Sequence, residues 1–361
     1  MTHIHVVGAR PNFMKAAPVI KALVELGEVP TLIHTGQHYD ALMSDVFFRD
    51  LGIPAPDVHL GVGSGSHAQQ TAALLTELER VFREHQPEGV VVYGDVNSTL
   101  AAALASSKLG IPTAHVEAGL RSFDRSMPEE INRVVTDALA DLHLVTSPEA
   151  LALLSREGIS ADRMHFVGNT MIDSLIANRH LFDDGVATAL GISEPYGVIT
   201  LHRPGNVDDR RALRTIVSAL AEVSRFVPLV FPVHPRGKAG LEAVGLESSE
   251  RLRLVEPLGY IDFMSLVSGA ALVITDSGGI QEETTVLGIP CLTMRPNTER
   301  PITITQGTNR LVRPDELGGA VEAILKSPPD LRPPPPLWDG HAGGRAASVI
   351  ADWLRALRDQ R

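Results

Sequence analysis

The chain of 361 residues is 44% hydrophobic and 21% charged, which is typical of folded globular proteins rather than disordered ones, and its length favours two domains. Its 32 basic and 43 acidic residues give a formal net charge of −11, which argues against a nucleic-acid surface that works by counterion release. Cys291 is the only cysteine, no apolar run approaches the roughly 18 residues of a membrane span, and the start lacks a signal-peptide pattern, so we expect a cytoplasmic protein without disulfides or a thiolate metal site.

The N-terminal segment is predicted to fold as a strand, a turn and a helix. Residues 4–7 form a short apolar run that ends at Gly8, and a helical pattern follows from about residue 14 to residue 26. The turn between them carries Arg10 and Lys15. Because two cations beside a helix N-terminus oppose the helix dipole, an anionic ligand would compensate them. A solvated surface pair is the alternative.

Carboxylates follow two successive predicted strands. Residues 89–93 read as a buried strand that leads to Gly94-Asp95, and residues 113–116 read as another that leads to Glu117. Open α/β sheets bind ligands at the carboxyl ends of their strands, so both acids are candidate site residues. A helix N-cap or a structural hydrogen-bond acceptor is the alternative role for either acid.

A helix is predicted to begin at Pro128, with Glu129 and Glu130 at its positive end and Arg133 one turn further. Capping alone would explain the two acids as well as a functional role would. The loop of residues 183–195 is rich in Gly, Asp, Glu and Pro, and we place the domain boundary just before it.

Beyond this loop the alternation of strands and helices restarts, with strands at about residues 198–201, 229–231, 252–255 and 270–274. Two such halves predict two parallel sheets with helices on both faces and ligand ends that face each other across a cleft. The predicted domains are residues 1–180, which carry the acids, and residues 181–344. Residues 345–361 form a last helix that packs back on the first domain.

The segment of residues 275–283, Thr-Asp-Ser-Gly-Gly-Ile-Gln-Glu-Glu, predicts a tight turn and a helix start directly after a strand. Ser277, Gly278 and Gly279 would present free backbone N–H groups at the positive end of the helix, where a phosphate binds without a metal. Glu283 lies one helical turn beyond Gly279, and its carboxylate can accept both hydroxyls of a ribose. A helix cap without a ligand is the alternative.

The order of these motifs resembles the non-hydrolysing UDP-N-acetylglucosamine 2-epimerases, a family of GT-B architecture, over nearly the whole chain. The similar blocks are residues 8–11 with Lys15, 36–38, 94–95, 115–121, 128–130 with Asn132 and Arg133, 168–170, 202–203, 275–283 and 298–301. The resemblance implies an α/β fold of two Rossmann-like domains. It also implies a homodimer that acts on a UDP-sugar without a cofactor or a metal.

The resemblance further implies the reaction, which is a reversible exchange of UDP-N-acetylglucosamine and UDP-N-acetylmannosamine by elimination of UDP to a 2-acetamidoglucal and re-addition. Its matching positions assign catalytic roles to Asp95, Glu117, Glu129 and His202. They assign substrate or UDP binding to Arg10, Lys15, Arg133, His234, Phe263, Ser277, Gly278, Gly279, Glu283 and Arg300.

Three positions depart from the commonest pattern of this family. Asn12 replaces an acid after the Arg-Pro pair, and Pro204-Gly205-Asn206 stands where a second acid is expected, so the charge of the cleft would differ. Asp40 stands where many bacterial members have Gln, so allosteric activation by substrate is not expected. The competing hypotheses are a glycosyltransferase or hydrolysing epimerase with the same nucleotide site, and a nucleotide-sugar sensor without catalysis.

Overall fold

The structure is a computed structural model that describes residues 2–36, 55–63, 65–192, 195–207, 209–233, 240–246, 248–328 and 332–360, with only the backbone described for Arg10 and Pro204. The chain divides into two compact units. One comprises Met1–Ala177 and Pro336–Arg361, and the other comprises Asn178–Pro335.

The described strands are short and mostly buried. In the first unit they are β1 (His3–Val7), β2 (Pro30–His34), β3 (Val58–His59), β4 (Val90–Tyr93), β5 (Thr113–Ala118), β6 (Leu142–Val145) and β7 (Met164–Phe166). In the second unit they are β8 (Gly197–Thr200), β9 (Leu229–Pro232), β10 (Leu252–Val255), β11 (Leu272–Thr275), β12 (Cys291–Thr293) and β13 (Asn309–Leu311).

The described helices connect these strands. They are α1 (Arg10–Glu25), α2 (His67–His85), α3 (Asn97–Leu109), α4 (Pro128–Leu139), α5 (Pro148–Arg156), α6 (Thr170–Asn178), α7 (Gly185–Ala189), α8 (Pro204–Val207), α9 (Arg210–Val223), α10 (Tyr260–Ser268), α11 (Gly278–Leu287), α12 (Ile302–Thr305), α13 (Leu317–Lys326) and α14 (Ala342–Asp359). Among the described residues, no helix is long and apolar enough to cross a bilayer.

Both sheets are parallel and wind in the same way. The first has the strand order β3-β2-β1-β4-β5-β6-β7 and the second has the order β10-β9-β8-β11-β12-β13. In each sheet the winding reverses between the two central neighbours, β1 and β4 in one and β8 and β11 in the other. Ligands of doubly wound α/β folds bind beyond the carboxyl ends of such a pair of strands. The predicted fold class, two Rossmann-like α/β domains, is confirmed.

The apolar runs form these sheets because parallel strands are covered by helices on both faces. β4 reads Val-Val-Val-Tyr, and all four of its side chains are buried. The first core packs Val91 and Val116 against α1 and α14, and the second gathers around Ile199, Leu220 and Ile274. Each unit therefore has its own hydrophobic core.

The C-terminal helix α14 packs on α1 of the first unit, as predicted. The two helices approach so closely that a Cβ added at Gly343 would lie 2.6 Å from the Cβ of Pro18. At the other end of α14, the guanidinium of Arg358 binds two carboxylates, Glu28 at 2.7 Å and Glu88 at 2.5 Å. These contacts hold the last helix against the N-terminal core.

Helix α1 begins at Arg10, four residues before the predicted start. Pro11 fits the first turn of a helix, where its missing N–H costs nothing, and the side chain of Asn12 accepts hydrogen bonds from the amides of Gly8 and Ala9. The prediction that Arg10 and Lys15 lie in the preceding turn is therefore wrong, and both residues belong to α1.

We predict that the buried histidines make the folded protein less stable in mild acid. Burial holds the pKa of His5 well below its usual value near 6.5, lowers that of His3, and lowers that of His34 to about 4. The unfolded chain therefore binds more protons than the folded chain below about pH 6.5, and stability falls as the pH drops from there towards 4. Each such histidine contributes at most about 1.4 kcal/mol per pH unit, and only until the pH falls to its own lowered pKa in the folded protein.

We expect the histidines to lower the melting temperature, measured by calorimetry, between about pH 7.5 and pH 5.5, against the opposite effect of the raised pKa of Glu283. The glutamine side chain in His5→Gln cannot titrate, so the melting temperature of this variant should fall less over the same pH range. An equal fall in both proteins would contradict the assignment of this proton uptake to His5.

Candidate active site

The carboxyl ends of β4 and β5 lie next to α1. Gly94, which follows β4, has a positive φ of 63°, and a Cβ added there would lie 2.8 Å from Nζ of Lys15 and 3.1 Å from Oε2 of Glu117. Only a glycine leaves this space free. The turn that carries Asp95 therefore passes directly over Lys15 and Glu117.

Glu117 and Lys15 form a buried ion pair, with side chains that are only 4% and 5% exposed. Glu117 lies inside β5 rather than after it, at a register shift between Val116 and Ala118, and its φ is 73°. A positive φ is unfavourable for a residue with a Cβ and clusters at functional sites. The strained bulge turns the carboxylate towards Lys15.

Asp95 is bound from α4. Its carboxylate pairs with the guanidinium of Arg133, and its backbone carbonyl accepts a hydrogen bond of 2.8 Å from Nδ2 of Asn132. The side chain remains 24% exposed. A second pair of polar residues supports the same turn, since Nε2 of His115 donates to the carbonyl of Gly94 at 2.8 Å and Nδ1 of His115 lies 2.6 Å from Oδ1 of Asp137.

The two acids at the start of α4 differ in their surroundings. Glu130 is buried and accepts hydrogen bonds from the amides of Ser122 and Phe123, each at 2.9 Å, and it pairs with Arg133. Glu129 is half-buried and has no hydrogen bond or ion pair to another described residue. Glu130 is thus a structural acceptor, whereas Glu129 is the acid that stays available.

Asn12 does not leave a gap in place of the expected acid. Its Oδ1 caps α1, and its Nδ2 donates a hydrogen bond of 2.7 Å to the carbonyl of Tyr93 at the end of β4. A carboxylate could accept the first bonds but could not donate the last one. Asn12 therefore ties the ends of β1 and β4 together.

In the second unit, Ser277 is the N-cap of α11 and Gly278 is its first residue. The prediction that the amide of Ser277 is free is wrong, because this N–H donates to Oγ1 of Thr275 at 2.9 Å. A Cβ added at Gly278 would lie 2.5 Å from Nη1 of Arg300, so glycine permits the guanidinium to approach the start of the helix. The first amides of α11, at Gly278 and Gly279, have no acceptor within the helix.

Arg300 belongs to a buried cluster of balanced charges. Its Nε lies 2.8 Å from Oε1 of Glu282, its Nη1 pairs with Glu299, and Glu299 also binds Arg295 at 2.7 Å. Since two cations face two acids, the surplus positive potential at this turn comes from the helix N-terminus.

Glu283 is 2% exposed and accepts a hydrogen bond of 3.0 Å from the hydroxyl of Tyr260. Burial is the main cause that raises the pKa of Glu283 to about 8, with a further contribution from the charge of Glu282 and an opposing one from Tyr260. Phe263 lies on the same helix as Tyr260, three residues further, and is half-buried.

His202 follows β8, and its Nδ1 lies 3.0 Å from Oδ1 of the buried Asp276. Asp276 also accepts a hydrogen bond of 3.0 Å from Nδ2 of Asn206. A Cβ added at Gly205 would meet no atom within 4 Å, so neither crowding nor backbone strain requires glycine there.

Several predicted residues are not described. His234 and the residues of the loop with Gln37, His38 and Asp40 lie outside the described residues, as does the side chain of Arg10. The structure thus describes Lys15, Asp95, Glu117, Glu129 and Arg133 on the first unit. It describes His202, Phe263, Ser277, Gly278, Gly279, Glu283 and Arg300 on the second.

The residues that hold these groups were not predicted from the sequence. Asp276 lies inside the predicted turn segment and directly precedes Ser277, which was a usable signal. Asp137 and Tyr260 carry no such signal, because each lies inside an ordinary helical pattern more than 20 residues from its partner, His115 or Glu283.

The chain is thus a doubly wound α/β protein of two units. One unit has carboxylates paired with cations at its strand ends, and the other has a helix N-terminus of the kind that binds anions. The sequence matches the family model described as UDP-N-acetylglucosamine 2-epimerase over residues 25–351. The chain therefore belongs to the UDP-N-acetylglucosamine 2-epimerase family. The predicted family and the predicted enzyme class, isomerase, are confirmed.

Two curated relatives cover nearly the whole chain. The UDP-N-acetylglucosamine 2-epimerase of Methanocaldococcus jannaschii is 39% identical over 358 residues, 96% of this chain and 97% of that protein. The UDP-2,3-diacetamido-2,3-dideoxy-D-glucuronate 2-epimerase of Pseudomonas aeruginosa is 42% identical over 367 residues, 99% of this chain and 100% of that protein.

A solved structure of the Methanocaldococcus jannaschii UDP-GlcNAc 2-epimerase, in complex with UDP-GlcNAc and UDP, is similar with a TM-score of 0.91 and 39% identity. The match covers 98% of this chain and 100% of that chain.

The buried pair of Lys15 and Glu117 yields a stability prediction. Lys15→Met would leave a carboxylate buried without its cation, and we expect the free energy of unfolding in urea to fall by about 3–5 kcal/mol. The double variant Lys15→Met/Glu117→Gln should recover part of this loss.

Lys326→Met is the matched control, because it removes a surface ion pair to Glu322 and should cost less than about 1 kcal/mol. If Lys15→Met costs no more than this control, the pair does not hold the site together.

Proposed function

We propose that this protein catalyses the reversible C2 epimerisation of UDP-N-acetylglucosamine to UDP-N-acetylmannosamine, through elimination of UDP to a 2-acetamidoglucal and re-addition. The observation that supports the proposal most is the position of Asp95, Glu117 and Glu129 in a chain of the 2-epimerase family. Asp95 and Glu117 lie at neighbouring strand ends, and Glu129 lies in the first turn of the helix that binds Asp95.

The proposed chemistry needs acids in more than one protonation state. In elimination, a base removes the proton at C2, the bond between C1 and the phosphate oxygen breaks, and a C1–C2 double bond forms. Re-addition reverses these changes, with the proton delivered to the opposite face of C2. Asp95, Glu117 and Glu129 are the groups that we assign to these proton transfers, because a base on one face and an acid on the other are both required.

The second unit supplies the proposed UDP site. The amides of Gly278 and Gly279, the side chains of Ser277 and Arg300, and the dipole of α11 stabilise the diphosphate as it gains charge. Glu283 accepts the ribose hydroxyls, and Phe263 lies near the uracil. His202 acts in turnover, and Arg10, Lys15, Arg133 and His234 complete substrate binding.

A second candidate substrate is UDP-2,3-diacetamido-2,3-dideoxy-D-glucuronate, on which the Pseudomonas aeruginosa relative acts. A uronate carries a carboxylate that an acidic sugar site would repel. Gly205, which replaces an acid expected next to His202, removes such a charge and leaves open space. The same elimination and re-addition would apply to both sugars.

The homodimer is a prediction that rests on the family resemblance, and the cytoplasmic location is a prediction that rests on the sequence pattern. We propose a homodimer in the cytoplasm, and size-exclusion chromatography with light scattering measures the mass of the particle. A monomeric mass would contradict the first of these predictions.

Incubation with each UDP-sugar in deuterium oxide, followed by proton NMR, tests the proposed reaction. We expect deuterium at C2 together with the C2 epimer, still attached to UDP. Release of free N-acetylmannosamine would instead show hydrolysis. No change without an added acceptor would favour a glycosyltransferase or a sensor. The sugar with the higher kcat/KM identifies the substrate.

The proposed role of Asp95 predicts a separation of binding and turnover. Asp95→Asn should lower kcat by at least about a hundredfold, because it removes a group that exchanges protons with the substrate, while the dissociation constant of UDP stays within about threefold. The exposed Asp352→Asn is the control and should leave both unchanged. Retained epimerisation in Asp95→Asn would refute the assignment.

The proposed role of Glu283 predicts a pH-dependent affinity. An ionised carboxylate offers one acceptor oxygen to each of two ribose hydroxyls, whereas a protonated carboxyl offers only its carbonyl oxygen, and burial raises the pKa of Glu283 to about 8 in the free protein. Below pH 8 binding must therefore release a proton, at a cost of about 1.4 kcal/mol per pH unit. We expect the affinity for the UDP-sugar to rise up to about tenfold per pH unit from pH 6.5 and to level above pH 8.

Isothermal titration calorimetry measures this affinity, and Glu283→Gln should bind more weakly at pH 8.5 with no such rise. A rise of equal size in Glu283→Gln would assign it to another group.

A further inference from the structure

The central strands β8 and β11 of the second sheet are joined beyond their carboxyl ends by one side chain, that of Asp276. It is fully buried, and its side-chain partners among the described residues lie in the segment that follows β8, which consists of His202, Arg203 and the short helix α8. It accepts hydrogen bonds from the amide of His202 at 3.1 Å, from the amide of Arg203 at 3.0 Å and from Nδ2 of Asn206 at 3.0 Å. One carboxylate thus binds two backbone amides and one side-chain amide of the segment that follows β8.

The same carboxylate determines the state of the His202 ring. Burial alone would raise the pKa of Asp276, but hydrogen bonds from His202, Asn206 and Arg203 keep it below its usual value, so the side chain is an acceptor only. Since Nδ1 of His202 lies 3.0 Å from Oδ1 of Asp276, Nδ1 must carry the hydrogen.

The other ring nitrogen remains accessible. The His202 side chain is 62% exposed, and Nε2 has no hydrogen-bond partner among the described residues. A neutral ring with its hydrogen on Nδ1 presents a lone pair at Nε2, and the ring cannot rotate without losing its bond to Asp276.

We propose that Asp276 is a positioning residue that fixes His202 in the Nδ1–H tautomer with Nε2 open to the substrate. Asp276 directly precedes Ser277, so the same residue connects the ring to the start of α11. The consequence for turnover rests on the proposed function, in which His202 acts on the UDP-sugar bound at that helix start.

Both oxygens of the Asp276 carboxylate act as acceptors in this arrangement, so an amide of the same shape cannot replace it. In Asp276→Asn an NH2 group replaces one of the two oxygens. If this group faces the ring, Nδ1 must become the acceptor and the hydrogen moves to Nε2. If it faces Asn206, the amide of Asn206 must turn and loses its bond of 3.2 Å to the carbonyl of Met294.

Nitrogen NMR of the full chain labelled at histidine tests the tautomer directly, with His202 identified by the signal that His202→Gln lacks. At a pH where the ring is neutral, we expect the wild-type ring in the Nδ1–H form and a shift towards Nε2–H in Asp276→Asn. A wild-type ring in the Nε2–H form would overturn the proposal. This reading of the wild type decides the question even if Asp276→Asn does not fold.

A double-mutant cycle tests the consequence for turnover. Asp276→Asn should lower kcat by about tenfold or more with KM within about threefold, and in the His202→Gln background it should cost less than about twofold further. Asp209→Asn, the same change at an exposed N-cap of α9, is the control and should leave kcat unchanged. An equal loss in both backgrounds would make Asp276 merely structural and overturn its action through His202.

The two experiments separate this inference from the proposed function. Absence of epimerisation in the wild type would overturn the proposed function, while NMR would still decide the state of the ring. Epimerisation by a protein whose ring is in the Nε2–H form would overturn the inference alone.

Discussion

Pairing of buried charges at the carboxyl ends of parallel strands is the interaction on which the candidate site residues of each unit depend. Glu117 is buried with Lys15, Asp95 is bound by Arg133, and Arg300 lies among acids. A buried carboxylate that has neither a cation nor several hydrogen-bond donors would be several kcal/mol too costly to keep ionised. The cations therefore both allow the acids to be present and fix their positions.

The topology of each sheet explains why charged side chains gather at its strand ends. Reversal of the winding between β1 and β4 leaves the ends of both strands uncovered by a crossing helix, and the same is true of β8 and β11. In the first unit the uncovered end of β4 carries Asp95, and Glu117 lies beside it near the end of β5. In the second unit the uncovered ends carry His202 and a helix start with unsatisfied amides, which suits an anion. The two halves thus have the same fold with opposite chemical characters.

Much of this arrangement could be predicted because it depends on local pattern. Apolar runs that end in polar residues gave the strands, and the position after each strand gave Asp95, Glu117 and the turn of residues 275–279. The start of α1 was misplaced because Asn12 acts as a cap from within the helix. The free amide predicted for Ser277 was wrong because a neighbouring hydroxyl, Oγ1 of Thr275, binds it.

What the sequence could not provide was contact between distant residues. His202 and Asp276 are 74 positions apart and meet only because β8 and β11 are neighbours. The bulge that turns Glu117 towards Lys15 depends on pairing with β6, which no local pattern encodes. Side-chain partners also decide which acid is structural, as Glu130 is through Ser122, Phe123 and Arg133, and which stays available, as Glu129 does.

The central proposal is that UDP leaves the sugar and returns to it during epimerisation. Positional isotope exchange tests it most directly, with heavy oxygen placed in the bridge between C1 and the β-phosphorus and followed by phosphorus NMR. We predict that the label scrambles into the non-bridging oxygens of that phosphate at least as fast as the epimer forms. Formation of the epimer with the label retained in the bridge would contradict the account.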